Sequence, residues 1–195
     1  MSTKNIFFVS DTHFGHEACC TKFTLSDGCT PLRPFSCAAE ADEAMVERWN
    51  KVVKPTDRVY HLGDIAMSKK HLPILDRLNG KKVLVKGNHD IEKLSVYVKY
   101  FDDVRGSHQF DGMLLTHIPV HPYSLARWGF NVHGHTHANS VMKDVFVYEN
   151  DSHISKQISD NRYKCVSVEQ INYTPISLEE VRKFKPKDNN EPRIR

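Results

Sequence analysis

Five polar clusters hold most of the side chains in this sequence that could do chemistry, and each stands where a strand-like apolar run ends. Ile6-Phe7-Phe8-Val9-Ser10 runs into Asp11-Thr12-His13, and Val59-Tyr60-His61-Leu62 runs into Gly63-Asp64. Val83-Leu84-Val85-Lys86 leads to Gly87-Asn88-His89-Asp90, Met113-Leu114-Leu115 to Thr116-His117, and Asn131-Val132 to His133-Gly134-His135-Thr136-His137. The groups offered are carboxylate, amide oxygen and imidazole, without thiolate. That set suits two borderline divalent ions, manganese first, with iron, zinc, nickel or cobalt as alternatives, better than a closed structural zinc, which favours cysteine. Taken singly, His117 reads as a structural histidine and Asp64 as a turn residue. Their weight as ligands comes from occurring together.

Convergence requires a particular architecture. In sheets with parallel neighbours, the carboxyl ends of the strands lie along one edge, where ligands bind, so residues distant in sequence meet there. The chain alternates accordingly. Short apolar runs at 6–9, 58–62, 82–86 and 130–133 read as strands, and 104–116 as a hairpin turning at Asp111-Gly112. Apolar spacing over 38–53, with Glu40, Asp42 and Glu43 near its start and Pro55 beyond its end, predicts a helix; 71–78 and 91–100 predict shorter ones. Residues 165–168 read as a late strand, and Ser177 to Glu180 has capping-box spacing at the start of a last helix. Two stretches, 21–36 and 149–162, read as surface loops. One domain over 1–184 and a mobile polar tail over 185–195 are expected.

Asp-x-His, Gly-Asp, Gly-Asn-His-Asp, a lone His and Gly-His-x-His, in that order, resemble the calcineurin-like metallophosphoesterases. The segment 166–181, with Asn172-Tyr173-Thr174-Pro175-Ile176-Ser177-Leu178-Glu179-Glu180, is also similar to small single-domain bacterial and phage members. The resemblance implies an α/β fold, a four-layer αββα sandwich of two mixed sheets flanked by helices. It implies that Asp11, His13 and His137 hold one metal, that Asn88, His117 and His135 hold another, and that Asp64 bridges them. His89 would face the phosphate and protonate the departing oxygen, with Asp90 orienting its ring. The implied activity is hydrolysis of a phosphate ester by a hydroxide bridging the metals, with a phosphodiester or a small nucleotide, cyclic ones included, as the preferred substrate. A phosphomonoesterase, and a scaffold that keeps the fold without turnover, are the alternatives.

For substrate contacts, His16 shares a loop with His13, and Arg33 sits with Lys22, Phe23 and Phe35 in a segment able to hold phosphate and stack on a base. Tyr123 and Arg127 suggest a second wall, and Asn88 and His89 would face the same ligand. His61, His121 and His133 read as core or supporting histidines, His71, His108 and His153 as surface ones, and Trp128 as core.

Composition narrows the partners. The 195 residues carry 27 Lys+Arg against 24 Asp+Glu, with 39% hydrophobic residues, which excludes wholesale disorder and collagen-like or coiled-coil architecture. The whole +3 excess falls on Lys183, Lys185, Lys187, Arg193 and Arg195 against Asp188 and Glu191, so the body is neutral. No dedicated duplex-DNA face is expected. The five cysteines, Cys19, Cys20, Cys29, Cys37 and Cys165, read as free thiols, and no apolar run approaches a membrane span. These features predict a cytoplasmic enzyme acting on a small phosphate ester.

Overall fold

Alternation along the first strand sets the layers of the molecule. In the computed structural model, which describes residues 5–149 and 152–186, β1 (Ile6–Val9) turns Phe7 and Val9 to one face and Phe8 to the other. A helical turn α1 (Ala18–Thr21) and a helix α2 (Ala38–Val52) follow, and α2 presents Ala41, Met45 and Trp49 to the Phe7 face. The Trp49 indole N–H donates to the Asn79 carbonyl, so this large side chain is buried with its one donor satisfied. Val53 ends α2 in extended backbone ahead of Pro55.

Strands β2 (Arg58–His61), β3 (Lys81–Val85) and β4 (Asp103–Arg105) extend the first sheet in parallel, separated by a 3-10 helix over Lys69–Arg77 and a single α-turn, α3 (Leu94–Tyr97). The second sheet contains β5 (His108–Phe110), β6 (Met113–Leu115), β7 (Asn131–His133) and, after a two-stranded ribbon of β8 (Met142–Glu149) and β9 (Ser152–Ser159), β10 (Tyr163–Cys165). A 3-10 helix over Val168–Gln170 leads to β11 (Ile176–Ser177) and α4 (Leu178–Phe184). The strand orders are β11-β1-β2-β3-β4 and β10-β7-β6-β5, each parallel except for one antiparallel edge strand, so both sheets are mixed. They meet through Phe8, Tyr60, Leu62, Val83 and Val85 on one side and Met113, Leu115, Phe130, Val132 and Val166 on the other. The outer face of the second sheet is covered by the segment around the 3-10 helix Pro122–Ala126: Val120 donates to buried Asn131, and the Tyr163 hydroxyl donates to the Val120 carbonyl.

Several sequence expectations change. The helix expected over 91–100 shrinks to one turn because Ile91, Leu94 and Val98 are exposed and only Tyr97 is buried. Val104 lies in β4 of the first sheet, so the hairpin is confined to β5 and β6. Within the polar stretch expected as a loop over 149–162, Ser152–Ser159 forms β9 of the ribbon, whose pairing runs from Met142 with Ser159 to Glu149 with Ser152. The strand expected at 165–168 ends at Cys165. The side chain of His153 and most of the tail expected over 185–195 lie outside the described residues. The Ser177–Glu180 capping box is present, with both reciprocal hydrogen bonds.

Candidate metal centre

Parallel pairing brings the ends of β1, β2, β3, β6 and β7 to one rim, and the turns after them carry the candidate ligands. Asp11, His13 and His137 form one group, and Asp64, His117 and His135 a second, each with its ligand atoms within 4.8 Å of one another. Asp64 stands between them. Its Oδ2 lies 3.6 Å from His13 Nε2 and 3.2 Å from His117 Nε2, while its Oδ1 accepts the backbone N–H of His89. Asn88 joins the second group, its Oδ1 being 2.9 Å from His117 Nε2. Asp11, His13, Asp64 and His117 are buried and make the floor; Asn88, His89 and His135 are exposed and make the rim.

Backbone geometry marks the same residues. Asp11, His13, Asp64, His135 and His137 all have positive φ, between 43° and 70°, a region costly for residues with a Cβ. At Gly87 and Gly134 a Cβ would strike Asp64 and the Ser10–Asp11 pair respectively, so these glycines allow one turn to pack on the next.

The hydrogen bonds aim the ligand atoms inward. Asp11 Oδ2 accepts from the Ser10 and Ser167 hydroxyls and from the His135 N–H, leaving buried Oδ1 without a partner and facing His13 and His137. His117 Nδ1 donates to the Leu62 carbonyl, which turns Nε2 toward Asp64 and Asn88. Burial lowers His13 to about 3, so it is neutral with a lone pair to give. Burial also pushes the Asp11 carboxyl upward, against the opposing effect of His117 and His137. At Asp64 burial acts in the same direction, but the His117 hydrogen bond and neighbouring donors outweigh it and hold the carboxyl at about 2. An orphaned buried carboxylate oxygen among imidazoles is what a divalent cation would satisfy.

The support behind the floor went unnoticed in the sequence. Arg33 is 1% exposed and reaches beneath the first turn, donating to the carbonyls of Asp11 at 2.6 Å and Thr12 at 2.8 Å and, through Nε, to Glu169 at 2.9 Å. The other Glu169 oxygen lies 3.2 Å from His137 Nδ1, and Gln170 donates to the His137 carbonyl. Arg33 is therefore not a substrate contact as its loop suggested; it is buried under the ligands. Asp90 also differs from expectation. Its carboxylate accepts the N–H groups of Asp64, Ile65 and Gly87, so it ties two ligand turns together instead of orienting His89.

Other expected residues separate as follows. His16 packs edge-on against His13, with rings 5.6 Å apart, and Phe23 lies 5.6 Å beyond it, 49% exposed. Phe35 instead packs on Tyr173 in the core. Tyr123 and Arg127 are exposed, with no hydrogen bond or ring contact to the ligand residues among those described. His61 and His133 are buried supports, whereas His121 is exposed, caps the 3-10 helix at 122–126 and is not a core residue. His71 and His108 are half-buried, the latter stacked on Tyr60, and Trp128 is half-buried rather than core.

Comparison with known proteins fits this geometry. A family model, the calcineurin-like phosphoesterase superfamily domain, matches residues 5–154. The chain belongs to the calcineurin-like phosphoesterases. It is 36% identical over 185 residues to an uncharacterized protein of Methanocaldococcus jannaschii, covering 92% of this chain and 90% of that one. A crystal structure of a protein of unknown function from Aquifex aeolicus superposes with a TM-score of 0.61 at 26% identity, covering 93% of this chain and 99% of the other. As a calcineurin-like phosphoesterase the chain is a metal-dependent phosphoester hydrolase by family, with two candidate metal-binding groups at its sheet edge. No helix among the described residues is long and apolar enough to cross a membrane.

Proposed function

We propose that the chain is a dinuclear metallophosphoesterase that prefers phosphodiesters or small nucleotides, cyclic ones included. The observation that carries this reading is the single Asp64 oxygen lying within 3.6 Å of an imidazole from each group. Asp11, His13 and His137 would hold one divalent ion, Asn88, His117 and His135 the other, and Asp64 both. The N/O donor set suits manganese, with iron, zinc, nickel or cobalt as substitutes. Such a pair of ions, when bound, supplies charge stabilisation on the phosphoryl group and hydroxide at neutral pH.

The protein's own groups do the rest. Asp64 Oδ1 pins the His89 backbone, and the His89 side chain stands exposed at the rim, with its ring 5.5 Å from that of His13. That position suits proton donation to a departing alkoxide. His16 and half-exposed Phe23 make an aromatic wall beside the first group, which favours a substrate with a base or aryl group over a bare phosphate. Five free thiols fit a reducing, cytoplasmic setting.

Chelator-stripped protein reloaded singly with Mn, Ni, Zn or Mg should hydrolyse bis(p-nitrophenyl) phosphate faster than p-nitrophenyl phosphate, and should be tested on 2′,3′- and 3′,5′-cyclic nucleotides. Preference for the monoester would reverse the substrate assignment. No turnover with any metal would remove the enzyme reading for these substrates.

A further inference from the structure

We propose that the buried Arg33–Glu169 pair is a positioning device that controls occupancy of the first metal position alone. The inference rests on the dinuclear reading above and concerns how its two positions are made unequal. Arg33 comes from the 21–36 segment and Glu169 from the 3-10 helix at 168–170, and both side chains are nearly inaccessible, at 1% and 3%. A buried ion pair of this kind gives little net stability, because desolvation offsets most of the attraction. Its geometry points to another use.

Every group that the pair touches belongs to the first position. Two guanidinium nitrogens hold the carbonyls of Asp11 and Thr12, fixing a turn whose ligands, Asp11 and His13, sit at positive φ. Glu169 Oε1 accepts from Arg33 Nε, which aims Oε2 at His137 Nδ1. Those last two atoms are buried, lie 3.2 Å apart and have no other partner among the described residues. Ser167 and Gln170, flanking Glu169 within three residues, grip Asp11 Oδ2 and the His137 carbonyl. A carboxylate behind a ligating imidazole fixes which nitrogen faces the metal and commonly changes affinity by about 10–100-fold.

Among the described residues, the second position has no counterpart. His117 Nδ1 is held by a neutral carbonyl, that of Leu62, and Asp90 grips only backbone N–H groups. Loss of the pair should therefore empty one position and spare the other, which a general loss of structure would not do.

The test is metal content by elemental analysis after dialysis against graded Mn²⁺, on wild type, Glu169→Gln, the double variant Arg33→Met/Glu169→Met, and His135→Ala, which removes a second-position ligand. The double variant removes both charges together, so neither is left buried and unpaired if the single substitution proves unstable. Wild type should hold two ions per chain. Both pair variants should keep one at Mn²⁺ concentrations that fill wild type, with the lost ion weakened about 10–100-fold, and the unfolding of the double variant in chelator should stay close to that of wild type. Adding Glu169→Gln to His135→Ala should remove the remaining ion. Two ions held with wild-type affinity by a folded pair variant, or equal weakening of both positions, would overturn the proposal. A wild-type chain that binds fewer than two ions would instead contradict the dinuclear reading itself.

Discussion

Five of the proposed ligands sit in left-handed backbone, and each such residue costs on the order of 1–3 kcal/mol relative to relaxed geometry. Strain of that size persists where surrounding bonds over-determine the turn, as the Ser10, Ser167 and His135 donors do around Asp11. His89 differs, since its side chain is exposed and only its backbone is tied down. His89→Ala should therefore keep both metals by elemental analysis and lose about 10²–10⁴-fold in diester turnover; wild-type turnover would remove the proton-donor role. His61 lies fully buried beneath, where Thr12 Oγ1 donates to the Ile65 carbonyl and so accepts from His61 Nε2–H. Burial lowers its pKa to about 3, which keeps the ring neutral. A histidine depressed on folding contributes stability that is present above its unfolded pKa near 6.5 and lost as pH falls toward 3. His61→Gln keeps the donor, so in chelator its stability should fall less steeply with acid, by roughly 1 kcal/mol per pH unit between pH 6 and 4. Parallel urea-unfolding profiles for the two proteins would contradict this. At this scale the sequence was legible where residues came in blocks. Arg33 and Glu169 stand alone among ordinary charged positions, and nothing in their spacing reveals that the fold buries them face to face.

Elements were legible where burial disciplines the sequence. β1, β2 and β3 alternate between two apolar environments, so Phe7-Phe8-Val9, Val59-Tyr60 and Val83-Leu84-Val85 are apolar on both faces and the runs stand out. The same apolar spacing misled over 91–100, because Ile91, Leu94 and Val98 have no surface to pack against. The second strand of the β8–β9 ribbon was missed for the opposite reason: Ser-His-Ile-Ser-Lys-Gln-Ile-Ser is mostly polar, and its order comes from pairing with β8. Close turn-on-turn packing yields an element-scale prediction. A methyl at Gly134 would enter the space of Ser10 Oγ and Asp11 Oδ2, whereas one at Gly106 would meet nothing within 4 Å. Gly134→Ala should cost about 1–3 kcal/mol by overpacking and weaken metal binding, with Gly106→Ala as the near-neutral control. Equal melting temperatures and metal content for the two variants would show that this approach is unimportant.

In the whole molecule, two mixed sheets share one apolar interlayer, and strands from both deliver candidate ligands to one rim: Asp11, His13, Asp64 and Asn88 from the first sheet, His117, His135 and His137 from the second. The candidate metal centre therefore lies across the junction of the two sheets, and neither sheet alone holds a full set of the proposed ligands. The family order of motifs made that convergence readable, while the clamp beneath it depends on the late segment 165–170 folding back under the first turn. The measurement that bears most directly on the central claim is a titration of chelator-stripped protein with Mn²⁺, following bound metal and bis(p-nitrophenyl) phosphate hydrolysis together. Two ions should bind per chain, and turnover should rise with the second equivalent. Full turnover at one ion per chain, or two bound ions with no hydrolysis of any diester or monoester offered, would contradict a dinuclear phosphoesterase.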